Sequence, residues 1–275
     1  MRATGTVPPL RAPALLALSL AFLALVGWGP ALTAPSGASH SNAASGGGGR
    51  AAARAAAARG RHALVGCRAA GASYRRFGSR RRHMVALGFD DGPSPYTERV
   101  LGILQANHAH ATFFEIGRLV PGHRAVMRGI LRAGDTIGNH SLTHANLAGD
   151  GAFAGFQLRK TNFLIHHESG FRPCLFRPPY GAVSARLVRE ARAAGMVTVN
   201  WDVDPHDYAA RENPRYIAGA VSKNVRNGSI VVLHDGGGDR MRTVRALGLL
   251  LHRLHRHGYR VVSVDQLLGL QRRYA

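Results

Sequence analysis

The chain has little cysteine, almost no lysine and, over its first 89 residues, no acid. Two cysteines among 275 residues exclude a disulfide-dense scaffold and a Cys-rich zinc module. Lysine occurs only at Lys160 and Lys223, so the basic charge is nearly all arginine. Residues 1–82 carry 12 Arg and neither Asp nor Glu. One apolar run at most approaches the length of a membrane span, which excludes a polytopic membrane protein. Internal repeats are absent, and no recognition helix, zinc finger or RNA-binding signature accompanies the charge. What is present bounds the answer further. The composition is 45% apolar and 19% charged, enough to bury a core and too apolar for wholesale disorder. The length leaves room for one large domain with tails or for two small ones.

The formal net charge of +21 invites a nucleic-acid reading, and its distribution weakens that reading. From residue 83 onward 24 basic residues stand against 15 acidic ones, so over half of the excess belongs to the N-terminal tail. Abundant Ala and Gly beside the Arg point to compositional bias as the main cause. The functional alternative is attraction to an anionic surface, a cell-wall polymer or lipid headgroups. No specific nucleic-acid partner is expected.

Arg2 and Arg11 precede an apolar run from Ala12 to Trp28, followed by the small residues Ala31-Leu32-Thr33-Ala34. That order marks residues 1–34 as a signal peptide, with an uncleaved N-terminal membrane anchor as the rival. Either way the remainder is expected outside the cytoplasm, secreted or held on the outer face of the membrane. Residues 35–82 read as a Gly/Ala/Arg-rich linker. Cys67 stands in that linker and Cys174 in the domain beyond it. In an oxidising compartment the two could pair, and two free thiols is the alternative.

From Met84 the pattern alternates. Strands are expected at Met84–Phe89, Ala111–Ile116, Thr136–Gly138, Cys174–Phe176, Met196–Asn200, Ser229–Leu233 and Arg260–Val264. Helices are expected between them at Tyr96–Asn107, Pro121–Ala133, Phe153–His167, Ser184–Ala194, Pro214–Val225 and Arg242–His257, with a closing helix at Val264–Leu270. Repeated βα units imply a parallel sheet, as a barrel or a doubly wound layer. The polar residues that invite a function cluster where strands end. They are Asp90 and Asp91, His140 and His144, Arg177 and Tyr180, Asp202 and Asp204, and His234 and Asp235. In a βα barrel those ends share one face, where active sites sit.

The spacing of His140 and His144 places two imidazoles on one side of a helical turn, and a carboxylate would complete a three-ligand metal set with open positions. Adjacent residues on an extended segment point opposite ways, so Asp90 and Asp91 divide the work. One binds the metal and the other faces the attacking water as a base. Glu115, at the end of a strand that should be apolar, is expected to point outward, with the pocket as its alternative direction. His206 and Asp207 follow the fourth cluster closely enough to stand behind the site. The His252, His255 and His257 group is interleaved with Arg253 and Arg256 and reads as a solvated basic face.

Five segments occur in order: Phe89-Asp-Asp-Gly-Pro93, Asn139-His-Ser-Leu-Thr-His144, Phe176-Arg-Pro-Pro-Tyr-Gly181, Trp201-Asp-Val-Asp204 and Val232-Leu-His-Asp235. Together they resemble the motifs of the polysaccharide deacetylase family, the NodB-homology group or carbohydrate esterase family 4. The resemblance covers residues 83–270 and implies a distorted (β/α) barrel. It implies one divalent metal ion, zinc first and cobalt, nickel, manganese or iron as alternatives, on Asp91, His140 and His144. Asp90 would be the base, Arg177 would hold it ionised, and His234 would be the acid, oriented by Asp204. The backbone N–H of Tyr180, beside Pro179, would face the oxyanion. Trp201, Tyr208, Val232 and Leu233 would line the groove. The reaction implied is hydrolysis of an acetamide on an N-acetylglucosamine-containing glycan, peptidoglycan or chitin-like, by a monomer. Alternatives are an esterase or amidase of the same fold acting on O-acetyl xylan or a small cyclic amide, and a catalytically silent glycan-binding module. Two departures from the family pattern stand out. Gly88 replaces the usual Thr or Ser, and Tyr208 stands where Trp is usual.

Overall fold

The protein is described by a computed structural model covering residues 63–71, 73–149, 151–209 and 213–275. The expected signal peptide or anchor, and the linker up to residue 62, lie outside the described residues. Among the described residues no helix is long and apolar enough to cross a membrane.

The strands are β1 (Leu64–Arg68), β2 (Tyr74–Arg75), β3 (Met84–Gly92), β4 (Ala111–Glu115), β5 (Thr136–Asn139), β6 (Leu175–Phe176), β7 (Val197–Val199), β8 (Ile230–His234), β9 (Arg260–Val262) and β10 (Gln271–Tyr274). The helices are α1 (Thr97–Ala106), α2 (Arg124–Arg132), α3 (Gly151–Ser169), α4 (Ala185–Ala193), α5 (Pro214–Asn224), α6 (Met241–Arg256) and α7 (Val264–Leu268). Their starts follow from local chemistry. Ser184 accepts from the Leu187 N–H ahead of α4, Asn213 accepts from Tyr216 ahead of α5, and Ser263 with Gln266 forms a capping box on α7. α6 buries Val244, Leu247, Leu250, Leu251 and Leu254, a stripe of helical period that faces the sheet and α5.

Eight strands form one parallel sheet in the order β2-β7-β6-β5-β4-β3-β8, with β9 also paired to the start of β3. The sheet curls until its ends approach. Val203, beyond β7, forms a parallel bridge to Val231 of β8, and Phe77, beyond β2, bridges Ser229. The result is a distorted (β/α) barrel. β3 is buried along its whole length, as a central parallel strand must be.

The expected linker does not reach residue 82. β1 pairs antiparallel with β10, β2 extends the main sheet, and Arg80 binds Asp202 at 2.9 Å. Cys67 of β1 is joined to Cys174, just ahead of β6. Within the expected linker, the described strands therefore start at Leu64. They also continue past residue 270 through β10.

Candidate active site

The C-terminal ends of β3, β5, β6 and β8 deliver Asp90 and Asp91, His140, Arg177 and His234 to one face. Opposing pairs in parallel neighbours share a face, and Asp90 lies opposite His234 in the β3–β8 register. Asp90 and Asp91 were expected to diverge, yet both approach His140 Nε2, at 3.8 and 3.6 Å. The reason is a bulge. The β3–β4 register slips between Asp90 and Gly92, and Asp91 adopts φ 75°. A bulge re-aims one side chain without ending the strand. Gly236 and Gly237 permit it. A Cβ on Gly236 would lie 2.0 Å from the Asp91 carbonyl oxygen, and one on Gly237 would lie 2.5 Å from the Asp91 carboxylate.

His144 reaches the same place, its Nε2 3.2 Å from Asp91 Oδ1. The expected helical turn is not what brings it there. Residues 140–149 form a loop, with Ser141 at φ 66° and His144 at φ 62°. The loop is held from behind. Gln157 Oε1 on α3 accepts from the Leu142 and Thr143 N–H groups, and Asn139 Oδ1 accepts from Ser141 N–H. The Tyr180 ring packs edge-on against His144, with centroids 4.6 Å apart.

His140 Nδ1–H donates to the Arg177 carbonyl at 2.7 Å, which turns Nε2 and its lone pair toward the carboxylates. Burial, against the pull of Asp91, lowers its pKa to about 3, so the ring is neutral and its contacts with Asp90 and Asp91 are not ion pairs. Asp91 Oδ1 is buried and has no hydrogen-bond partner. An orphaned carboxylate oxygen facing two imidazole nitrogens fits a divalent cation, because nothing else satisfies it. Ligand atoms from Asp91, His140 and His144 all lie within 4.8 Å of one another, the one such set among the described residues.

Arg177 is wholly buried and its Nη1 donates to Asp90 Oδ1 at 2.8 Å. Its guanidinium lies 4.1 Å from the centroid of Phe114 and 5.7 Å from that of Trp201. Gly88 belongs to this stack. A Cβ there would come within 2.6 Å of both Arg177 terminal nitrogens, so the departure at Gly88 makes room for the arginine. Arg177 was expected to hold Asp90 in its ionised form. The pair is present, but burial raises the Asp90 pKa and outweighs the pull of Arg177 and His234. Asp90 thus holds a proton more readily than an ordinary aspartate.

The partner of His234 is Asp207, not Asp204. His234 Nδ1–H donates to Asp207 Oδ1 at 2.7 Å, the His234 backbone N–H donates to Oδ2 at 2.8 Å, and Thr243 Oγ1 donates to Oδ2 at 2.7 Å. Asp204 instead accepts from the His206 N–H at 2.7 Å and faces the Tyr208 hydroxyl at 3.4 Å. The reason is the tight turn after Val203, with His206 at φ 56°, which carries Asp204 to the rim and Asp207 inward. Burial works to lower the His234 pKa, but the hydrogen bond and charge of Asp207, with Asp90 and Asp91 behind it, raise it to about 8.

The remaining expected residues separate. Tyr180, at φ 60°, sits in a tight turn after the buried Pro179 whose hydrogen bonds run from Gly181 and Ala182 to Pro178 and Pro179, leaving the Tyr180 N–H outside them. Trp201 packs beside Arg177, and the Tyr208 ring meets His234 edge-on at 5.2 Å. Val232 lies opposite Gly88 and shares the face of Arg177 and His234. Leu233 lies opposite Phe89, belongs to the main core and does not line the site. A period of two puts neighbours on β8 on opposite faces. Glu115 was expected to point outward and is instead fully buried. Gly92 has Glu115 Oε2 and both Asp235 oxygens around the point where its Cβ would stand. Burial and the nearby acids push both pKa values up, Glu115 well above the carboxylate range.

Taken together, the site offers a three-donor set for a cation, a buried carboxylate on one side and an Asp-supported imidazole on the other. That arrangement can activate water and protonate a leaving group. The pattern described as polysaccharide deacetylase matches residues 78–199. A peptidoglycan-N-acetylglucosamine deacetylase of Bacillus cereus is 40% identical over 192 residues, covering 67% of this chain and 88% of that protein. A chitooligosaccharide deacetylase of Sinorhizobium fredii is 34% identical over 197 residues, covering 66% of this chain and 90% of its own. Among solved structures, a carbohydrate esterase family 4 pseudoenzyme from Bacillus anthracis aligns with TM-score 0.67 and 29% identity. The alignment spans 72% of this chain and 70% of that one.

Proposed function

The chain belongs to the polysaccharide deacetylase family, carbohydrate esterase family 4, and from that membership we propose that it removes N-acetyl groups from an N-acetylglucosamine-containing glycan outside the cytoplasm. The observation that carries this reading is the pairing of two separately supported proton carriers, Asp90 with Arg177 and His234 with Asp207, beside the Asp91-His140-His144 set. A binding module needs neither carrier.

Asp91, His140 and His144 would hold the metal, zinc being the first choice for two imidazoles and a carboxylate. A divalent ion there supplies Lewis-acid polarisation and makes water a better nucleophile at neutral pH. Asp90 takes the proton of the attacking water, and its upward-shifted pKa suits a base working near neutrality. The Tyr180 N–H donates to the oxyanion. His234, protonated through Asp207, gives its proton to the departing amine. Trp201, Tyr208 and Val232 line the sugar and acetyl side. Peptidoglycan and chitin-type chains are both substrates of relatives by name, and peptidoglycan comes first because the relative of 40% identity carries it. Export rests on the N-terminal pattern of residues 1–34, and the arginine-rich tail beyond it suits an anionic wall or membrane surface.

The test is acetate release by the full chain from N-acetylglucosamine oligomers and from peptidoglycan, with and without chelator, beside Asp90→Asn. Chelator-sensitive release that Asp90→Asn lowers by about 100-fold or more is expected. Tight glycan binding without acetate release under any added metal would replace the reading with a silent module.

A further inference from the structure

The parallel strands place the site at their C-terminal ends, so their N-terminal ends open on the opposite face. There the chain forms a groove of about 740 Å³. Gly195, Met196 and Val197, which lead into β7, and the ends of the β1–β10 ribbon line it. Three arginines reach it: Arg68 at the end of β1, Arg273 on β10 and Arg192 in the last turn of α4. All three are exposed. None makes an ion pair or a side-chain hydrogen bond among the described residues, and no described acid lines the groove.

This is not a shortage of carboxylates. Arg272, one residue from Arg273, turns inward and binds Asp265 at 2.7 Å together with Thr136 and Ser263. The outward arginine of the pair is the unsatisfied one. The three stand on fixed supports, since β1 is tied to the start of β6 by Cys67–Cys174 and Cys67 itself lines the groove. Guanidinium forks on rigid elements match phosphate oxygens two at a time. The lining contains no aromatic ring on which a base could stack, so a single-stranded nucleic acid has no platform. A concave slot also suits a chain better than the flat surface of a bilayer.

We propose that this groove docks a phosphodiester-linked polyol chain of the poly(glycerol phosphate) type, leaving the opposite, catalytic face free. The assignment does not depend on what that face hydrolyses. It is tested with the full chain and labelled poly(glycerol phosphate) in a binding titration across a salt series. Arg68→Gln/Arg192→Gln/Arg273→Gln is set against a control of equal charge, Arg128→Gln/Arg215→Gln/Arg245→Gln, whose arginines are exposed elsewhere and unpaired. The groove triple is expected to bind about tenfold more weakly and to lose about three units of log–log salt slope, one per arginine. The control should change by less than about twofold. Both should keep wild-type acetate release from soluble chitooligosaccharide. If the triple fails to fold, Arg192→Gln alone, on an exposed helix end, should lower affinity by about threefold and the slope by about one. Equal losses in the two triples, or none in the groove triple, would overturn the proposal in favour of diffuse attraction. Tighter wild-type binding to oligo(dT), polygalacturonate or phosphatidylglycerol vesicles would overturn the phosphodiester chain as occupant.

Discussion

Asp207 holds His234 by two hydrogen bonds, one to the ring and one to the backbone, and raises its pKa to about 8. An acid of that pKa is protonated across neutrality and loses its proton as pH rises through 8. Activity should therefore fall on the alkaline side of pH 8, and Asp207→Asn should move that limb down toward the ordinary histidine value of about 6.5 while lowering kcat. Asp204→Asn should leave the limb in place. The same linkage acts on stability. Because the folded pKa exceeds the unfolded one, protonated His234 contributes about 2 kcal/mol that is fully present below pH 6.5 and is lost as pH rises through 8. A kcat–pH profile and denaturant unfolding across the same range check both. The Asp-x-x-Asp spacing of residues 204 and 207 explains why the sequence does not choose between them. Each stands close to the site, and only the turn at His206 decides which faces inward.

Elements divide by how much apolar pattern they carry. The long strands β3, β4 and β8 and the helices α1, α2, α5 and α6 are legible to within a few residues, because burial on one or both faces writes a period into the chain. β1, β2 and β10 are not. β2 has two residues, and β10 reads Gln-Arg-Arg-Tyr with only a terminal aromatic. The bulge at Asp91 and the loop through His144 were also invisible, since left-handed backbone at Asp, Ser and His carries no glycine signal. That loop depends on α3. Gln157 is buried and its single oxygen accepts two loop N–H groups. Gln157→Met should remove both bonds and cost about 1 kcal/mol for each, since the Leu142 and Thr143 N–H groups are partly open to water. By loosening His144 it should weaken zinc affinity by about tenfold, read by competition with a chelating dye. Unchanged affinity would mean that the Tyr180 ring and the Ser141 hydroxyl, which accepts from the His144 N–H at 2.9 Å, suffice to fix His144.

At the scale of the whole molecule, the disulfide between Cys67 and Cys174 spans 107 residues and encloses β2 through β5. In the chain-entropy account, closing a loop of about 100 residues restricts the unfolded state by about 4–5 kcal/mol. Cys67→Ser/Cys174→Ser should lose a comparable amount in denaturant unfolding. The residues proposed to be catalytic sit at the other ends of the strands, so kcat at low temperature should hardly change. A large fall in kcat with unaltered stability would place the bond's role in the site instead. The barrel itself was readable from the alternation of strands and helices. Its closure was not, because it depends on two isolated bridges, Val203 to Val231 and Phe77 to Ser229, that no periodicity announces.

β1 and β10 lie side by side, and the Ala275 N–H donates to the Ala63 carbonyl at 2.9 Å. From residue 63 to residue 275 the backbone is thus a ring with one short break. Its order of strands around the barrel is a circular order, and position 63 is one of several places where the circle could be cut. Joining those two residues and opening a surface turn elsewhere would preserve every strand neighbour described above. A tag fused at residue 63 and one fused at residue 275 would be mounted on the same corner of the molecule.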